Sequence, residues 1–172
     1  TMTNTNAITI SGSGIGGNGA LINSSATSAT FSGPITLASD ATVKSVGDLT
    51  LNGLINGAFT LSVVNSGNLT LGTTVTSSSD RLGALSVSGN ATLNGNIWTT
   101  SGQSYGGNLT IAQDISLNST SGGISIVGNL IGSAISPTLL YEITNPTRVA
   151  NQIVYSTNNS ASFSGAINRI TY

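Results

Sequence analysis

The stretch Leu49-Thr50-Leu51-Asn52-Gly53-Leu54-Ile55 carries the pattern that decides the predicted fold. The pattern is an apolar residue, Thr, an apolar residue, a small or polar residue, Gly, any residue and an apolar residue. Full or partial copies begin at Ile8, Ala29, Leu69, Ala91, Leu109 and Ile124. The third positions of successive copies lie 21, 20, 20, 22, 18 and 15 residues apart. One strand phrase in each period of about 20 residues predicts a solenoid, in which successive coils stack on one another.

Each copy of the phrase alternates as a strand does when one face is buried and the other is exposed. The two apolar residues that flank Thr face the interior, and Thr faces outward. We therefore expect one interior stack, formed by Ile10, Phe31, Leu51, Leu71, Leu93, Ile111 and Ile126. We also expect one outward Thr ladder, formed by Thr9, Thr30, Thr50, Thr70, Thr92 and Thr110. The Gly of the phrase predicts a corner where the chain adopts a positive φ.

The composition predicts an all-β protein, and the repeat period predicts a β-solenoid of about eight or nine coils of about 20 residues each. Apolar residues make up 38% of the 172 residues and charged residues only 5%, against about a quarter in ordinary domains. A net charge of −1 and a mean hydropathy of +0.24 are unlike those of disordered chains. Four cations form no basic face for nucleic acid, and no apolar run is long enough to insert into a membrane.

Segments within residues 12–75 carry a resemblance to a known repeat type: Gly12-Ser13-Gly14-Ile15-Gly16-Gly17-Asn18-Gly19, Phe31-Ser32-Gly33-Pro34-Ile35-Thr36-Leu37 and Asp48-Leu49-Thr50-Leu51-Asn52-Gly53. They look like autotransporter-associated β-strand repeats. Residues 97–132, which open with Ile97-Trp98-Thr99, resemble repeats of filamentous-haemagglutinin-like exoproteins. The resemblance implies a right-handed parallel β-helix that bacteria export as a surface adhesin, stalk or filament. Since the transporter barrel and N-terminal secretion domain of such proteins are not recognised, we expect a piece of a longer passenger or a small relative.

Residues 133–172 differ in composition from residues 1–132, which hold the repeats. Two of the three prolines and three of the four tyrosines fall in this divergent C-terminal β segment. Solenoids need special end coils, so the segment is expected to form either a final capping coil or a strand that pairs with the next molecule. The candidate assembly interface consists of Tyr141, Tyr155, Ile167, Arg169, Ile170 and Tyr172.

The sequence contains little that could carry catalysis. Asp40 and Asp48 come nearest to the carboxylate pair of a glycosidase, but each precedes a strand pattern and is interpreted as a turn residue. His and Cys are absent, which removes the usual zinc ligands and nucleophile–base pairs. We therefore predict no catalytic residue, metal site or cofactor. Trp98 and Tyr105 could stack on a sugar ring or cover the outside of a coil.

These observations predict a non-enzymatic structural protein, a solenoid subunit that assembles head to tail with copies of itself into a bacterial filament or matrix fibre. An extracellular or cell-surface location is expected because a Ser-, Thr- and Asn-rich chain with little charge suits exported structural material. Two alternatives remain open. One is an adhesin segment that binds a glycan or host receptor, and the other is a carbohydrate-active β-helix enzyme.

Overall fold

The computed structural model of the chain describes residues 3–72, 76–77, 79–113, 115–133, 142–144, 146–149, 152–156 and 160–164. Nearly all of these residues form strands and the short turns between them. Within the described residues, the one helical element is a 3-10 turn at Ile15–Gly17. The predicted all-β class is confirmed.

The strands form three sheets, named A, B and C. Sheet A contains, in spatial order, β1 (Thr3–Asn4), β4 (Ala29–Phe31), β6 (Leu49–Leu51), β9 (Leu69–Leu71), β11 (Ala91–Leu93), β14 (Leu109–Ile111), β17 (Leu130–Ser133), β20 (Gln152–Ser156) and β21 (Ser160–Ser164). Sheet B contains β2 (Ile8–Gly12), β5 (Ile35–Ser45), β8 (Thr60–Asn65), β10 (Ala84–Val87), β13 (Gln103–Tyr105), β16 (Ile124–Ile126) and β19 (Pro146–Val149), with β3 (Leu21–Asn23) and β7 (Ile55–Asn56) also paired to β5. Sheet C contains β12 (Ile97–Thr99), β15 (Ser116–Ser119) and β18 (Glu142–Thr144).

Neighbouring strands of each sheet come from successive coils and run parallel. Five pairings link β4, β6, β9, β11, β14 and β17 in turn, and each pairing marks one turn of the chain. The described residues therefore form a β-solenoid with about five regular turns, which confirms the predicted architecture. A total of about eight or nine coils stays a prediction.

The strands after residue 141 extend the sheets at the C-terminal end. β18, β19 and β20 add to sheets C, B and A as parallel strands. β21 then folds back against β20, and this is the one antiparallel pairing among the described strands. The boundary at residue 132 between repeats and divergent segment remains a prediction.

The core lies between the sheets and consists of the apolar residues of the phrase. In β6, Leu49 and Leu51 are buried and Thr50 is half-buried, as the alternation predicts. Each fully buried Leu contributes roughly 1.5–3 kcal/mol to stability through the area it removes from water. A single coil could not bury these side chains, since each is covered by the coils on either side of it.

The predicted interior stack is present in its central part and differs at both ends. Phe31, Leu51, Leu71, Leu93 and Ile111 occupy one register column of sheet A. Ile10 and Ile126 are buried as well, but they lie in sheet B, where they pair with Leu37 and Tyr105. The alternating phrase has the same pattern on either sheet, so it shows that a residue is buried without showing which sheet carries it. For Ile126, the short spacing of 15 residues from Ile111 was the sign in the sequence that this residue lies outside the column of sheet A.

The glycines at the corners serve a different purpose from the one predicted. Gly33 and Gly53 do not have a positive φ, but a Cβ on Gly53 would overlap the carbonyl oxygen of Gly33 in the coil below. A second corner stacks five glycines, at which a Cβ would also meet the neighbouring coil: Gly47, Gly67, Gly89, Gly107 and Gly128. Glycine is therefore required there because two coils approach closely. The predicted positive φ is found at Gly12, the Gly of the copy that begins at Ile8, and positive φ also occurs outside the phrase at Gly57.

Candidate functional site

The outward Thr ladder extends along sheet A. Its register pairs Thr30 with Thr50, Thr50 with Thr70, Thr70 with Thr92 and Thr92 with Thr110, and each of the five side chains is half-buried. Thr9 lies outside this ladder, because it belongs to sheet B and pairs with Thr36. The position above Thr30 is taken by Thr3 instead. Neighbouring Thr side chains contribute roughly 0.2–1 kcal/mol per pair, so the ladder stabilises the stack.

The two acids that came nearest to a catalytic pair are used to join coils. Asp48 Oδ1 accepts the backbone N–H of Asn68 at 2.8 Å, one coil away. Asp40 Oδ1 accepts the backbone N–H of Thr60 at the same distance. Asp48 stands in the turn before β6 as predicted, whereas Asp40 lies inside β5, where the register with β2 shifts. Both carboxylates therefore replace hydrogen bonds that the sheet ladder does not supply at these corners.

Asparagine takes the same role farther along the stack. Asn90 Oδ1 accepts the N–H of Asn108 at 2.9 Å, and Asn108 Oδ1 accepts that of Asn129 at 3.0 Å. Asn68 directs its amide nitrogen to the hydroxyls of Thr70 and Thr92 at 3.2 and 3.1 Å. The Asp or Asn residue before β6, β9, β11, β14 and β17 thus forms a ladder of its own beside the Thr ladder.

The two aromatic candidates for sugar stacking lie in different environments. Tyr105 is completely buried and donates its hydroxyl to Gln103 Oε1 at 3.0 Å, so it neither faces a sugar nor covers the outside of a coil. Burial raises the pKa of Tyr105 well above its ordinary value. Trp98 is half-buried, and the guanidinium carbon of Arg81 lies 4.9 Å from the centre of its ring. Arg81 also donates from Nη1 to Asn118 Oδ1 at 2.6 Å, which fixes the cation over the ring.

The predicted assembly residues lie outside the described part of the chain, except for the backbone of Tyr155 in β20. Tyr141, Ile167, Arg169, Ile170 and Tyr172 are among the residues whose structure is not described. The C-terminal assembly interface therefore stays a prediction.

The structure describes the opposite end of the solenoid from Thr3 onward. We call β1, β2 and β3 the N-terminal edge, since each has a strand partner on one side only, in the next coil, among the described pairings. The chain carries no charged residue before Asp40. In the described residues, the partly buried apolar side chains that pack against the core all lie close to this edge: Ile8, Ala20, Leu21 and Ala29.

The peptide N–H and C=O groups of successive residues in β2 point alternately toward β5 and toward the opposite side of the strand. Ile8 donates its N–H to Pro34 O at 2.9 Å, so its peptide groups face β5 in the next coil. In an extended strand the N–H and C=O of the following residue point the opposite way. The N–H and C=O of Thr9 therefore point away from β5, toward the free side of the N-terminal edge.

A glycine-rich turn interrupts the first coil beside this edge. It follows Gly12 and is closed by backbone hydrogen bonds from Gly17 to Gly14 and from Gly19 to Ser13. Ile15 stands in this turn with 96% of its surface exposed. Five glycines lie within residues 12–19 of the sequence, but an apolar residue in a turn has no periodic partner to show whether it is buried.

No family model, curated protein or solved structure matches the chain. The resemblance to repeats of bacterial exoproteins therefore stays a prediction. Among the described residues, no three His, Cys, Asp or Glu side chains are grouped so that they could hold a metal ion. The same part of the chain contains no helix that is long and apolar enough to cross a membrane.

Proposed function

We propose that the chain is a non-enzymatic structural protein whose solenoids join end to end into an extracellular filament or matrix fibre. The observation that carries this proposal is the N-terminal edge, where the described strands have a described partner on one side only and border a partly exposed apolar core in a stretch without charge. An open strand edge is a template for pairing, and solenoids that stay monomeric cover it with a polar or charged end coil. An uncharged, apolar edge is suited to contact with another protein surface.

A second copy of the chain is the partner that suits this edge best. Each coil of a solenoid is complementary to the coil beside it, so the end surface is complementary to another coil of the same kind. β18, β19 and β20 extend all three sheets toward the other end. A copy translated along the solenoid axis would continue the sheets, and such a contact yields an open fibre. At about 4.8 Å per coil, a subunit of about eight or nine coils would add about 40 Å to the fibre.

The proposed location is the bacterial cell surface or the extracellular matrix. The low charge supports it, since only 5% of the residues are charged, and the chain contains no Cys. The hydrogen-bonded ladders of Thr and Asn would supply the stability that many exported proteins draw from disulfides.

The first experiment is electron microscopy and analytical ultracentrifugation of the intact chain at rising concentration. We expect fibres whose amount grows with concentration. A variant lacking residues 161–172, which removes most of β21, should keep the circular dichroism of the parent and form no fibres. An intact chain that stays monomeric at high concentration would contradict the proposal. A truncated chain that forms the parent's fibres would exclude residues 161–172 from the junction.

The absence of enzymatic activity is a separate part of the proposal. Asp40 and Asp48 each accept a backbone N–H of the next coil, which is a structural use of both carboxylates. We expect no cleavage of a polysaccharide panel by the parent chain. Cleavage that disappears in the Asp40→Asn, Asp48→Asn double variant would overturn this part and favour the carbohydrate-active enzyme.

An adhesin segment is the second candidate, and the outer side of sheet C favours it. Trp98 is partly exposed there beside the Arg81–Asn118 pair, and an aromatic ring next to an amide is a common element of glycan sites. Titration of glycans against the intrinsic fluorescence of Trp98 would test this function. Monodisperse rods in micrographs, together with glycan binding that is lost in Trp98→Leu, would favour the adhesin over the filament.

A further inference from the structure

We infer that Arg81 anchors a binding site for a carboxylate-bearing saccharide on the outer side of sheet C. The inference rests on the second candidate function, glycan binding, and names the chemical class of the glycan. It is independent of end-to-end assembly, because a fibre would carry the same site along its side. The observation that carries it is a guanidinium group that the protein holds in place through one nitrogen, while two other nitrogens keep their donors for a ligand.

Three successive coils bring the residues of this site into one outward column. The bridge between Leu82 and Thr99 sets Arg81 beside Trp98, and the pairing of β12 with β15 sets Trp98 beside Asn118. Leu82 and Thr99 are fully buried beneath the column, so it stands on a packed layer of the core. Two of the three residues therefore lie on paired strands, and Arg81 directly precedes a bridged residue.

The guanidinium group of Arg81 is held by an aromatic ring and by hydrogen bonds. Its central carbon lies 4.9 Å from the centre of the Trp98 ring. Nη1 donates to Asn118 Oδ1 at 2.6 Å and to Thr99 O at 3.4 Å. Nε and Nη2 have no hydrogen-bond partner among the described residues. These two nitrogens form one edge of the planar group, and their N–H bonds match the two oxygens of a carboxylate.

The charge of Arg81 has no counter-charge in the part of the chain that the structure describes. Arg81 is half-buried and forms no ion pair there. Asp80 is its neighbour in sequence, but Asp80 turns toward Ser77, whose Oγ accepts the N–H of Asp80 at 2.9 Å and donates to its Oδ2 at 3.5 Å. A cation beside a ring is screened less than one in bulk water, so an anionic ligand gains more from it. A carboxylate would supply both the missing charge and the two missing acceptors.

The surroundings of the guanidinium favour a saccharide over an acidic peptide. Thr100 and Thr120 follow Trp98 and Asn118 by two residues and are exposed. Both donate their hydroxyls to backbone carbonyls at 3.1 Å, so their oxygens remain acceptors for the hydroxyls of a sugar. A peptide strand would need an open sheet edge. Such an edge is absent at β12, which is bridged to Leu82 on one side and paired with β15 on the other.

The first test compares acidic saccharides with neutral counterparts. Tetragalacturonate is titrated against its full methyl ester, and sialyllactose against lactose. The chain contains one Trp, so its fluorescence reports on the site, and calorimetry gives the Kd. We expect at least one of the acids to bind the intact chain, and its neutral counterpart to bind about tenfold or more weakly. The Kd of the acid should rise with salt concentration.

Substitutions of Arg81 identify the group that recognises the carboxylate. Arg81→Gln removes the charge and should weaken binding of the acid about tenfold or more. Arg81→Lys keeps the charge but lacks the planar pair of donors, so its affinity should lie between those of the parent and Arg81→Gln. Lys44→Gln is the matched control, since it removes one positive charge from β5 in sheet B and should bind as the parent does. All three variants should keep the circular dichroism of the parent.

Several results would overturn the inference. Equal binding of the acids and their neutral counterparts would do so, as would parent affinity in Arg81→Gln. Neutral saccharide binding that is lost in Trp98→Leu would then leave the adhesin candidate intact, whereas no binding of any saccharide would overturn both. Tighter binding of hexaglutamate than of either acidic saccharide would indicate an acidic protein partner instead. If Arg81→Gln does not fold, the comparison of acidic and neutral saccharides on the intact chain decides the matter.

Discussion

Replacing Gly67 with Ala tests whether close stacking of the coils is the reason for the corner glycines. A Cβ on Gly67 would lie 2.5 Å from the carbonyl carbon of Gly47 and 2.6 Å from the amide nitrogen of Asp48. Carbon atoms in contact normally lie about 3.5–4.0 Å apart, so the two coils would have to separate locally by about 1 Å. Both obstructing groups belong to the backbone, and no change of rotamer can relieve the overlap.

The expected cost follows from overpacking in a rigid stack. Extra carbon in a well-packed site typically costs about 1–3 kcal/mol, and the corner lies between two hydrogen-bonded ladders that resist separation. Ala restricts the unfolded chain more than Gly does, which offsets about 0.4–1 kcal/mol. We expect a net loss of about 1–2 kcal/mol. In a chain of this size that loss corresponds to a fall in Tm of about 2–8 °C.

Gly102→Ala is the matched control for this measurement. The nearest atom to its added Cβ would be the carbonyl oxygen of Gly123 at 3.3 Å, and Gly102 does not have a positive φ either. The control therefore shares the effect on the unfolded chain but lacks the backbone overlap, and its Tm should stay within about 2 °C of the parent. Thermal unfolding followed by circular dichroism gives both values. Equal Tm values for Gly67→Ala and Gly102→Ala would refute the stacking explanation.

Three further substitutions test other parts of the stack. Leu71→Asp places an unpaired charge in the fully buried column of sheet A, and we expect loss of folding by circular dichroism; an unchanged spectrum and Tm would contradict the register. Asp48→Ala removes the acceptor of the Asn68 N–H and should cost about 0.5–1.5 kcal/mol in urea unfolding, whereas Asp48→Asn keeps an acceptor and should cost much less. Tyr105 has a pKa raised by burial, so the folded state holds its proton longer than the unfolded state and stability falls as pH rises above about 10. Tyr105→Phe should flatten that alkaline slope in rapid urea unfolding, and an equal slope in parent and variant would contradict the burial of this hydroxyl.

Much of the fold could be predicted because the alternation of side chains along a strand is a local property. Leu49, Thr50 and Leu51 show a buried, half-buried, buried pattern that depends only on the two-residue repeat of an extended chain. The candidate site could be predicted from the sequence less well than the fold. The partner of β2 among the described strands lies on one side only, and the copy of the phrase at Ile8–Gly12 does not indicate which side that is.

The sequence by itself determined that this protein is a solenoid, because the recurring apolar-Thr-apolar phrase needs stacked copies to bury its apolar residues. It also determined which residues are buried in the central copies of the phrase, as in β6. Only the tertiary structure decided that Ile10 and Ile126 lie in sheet B, that Asp48 bonds to the next coil and that Gly67 has no room for a side chain. These properties depend on the length of each coil and on the atoms of the coil next to it. They are contacts between residues about 20 positions apart, and a local pattern cannot specify them.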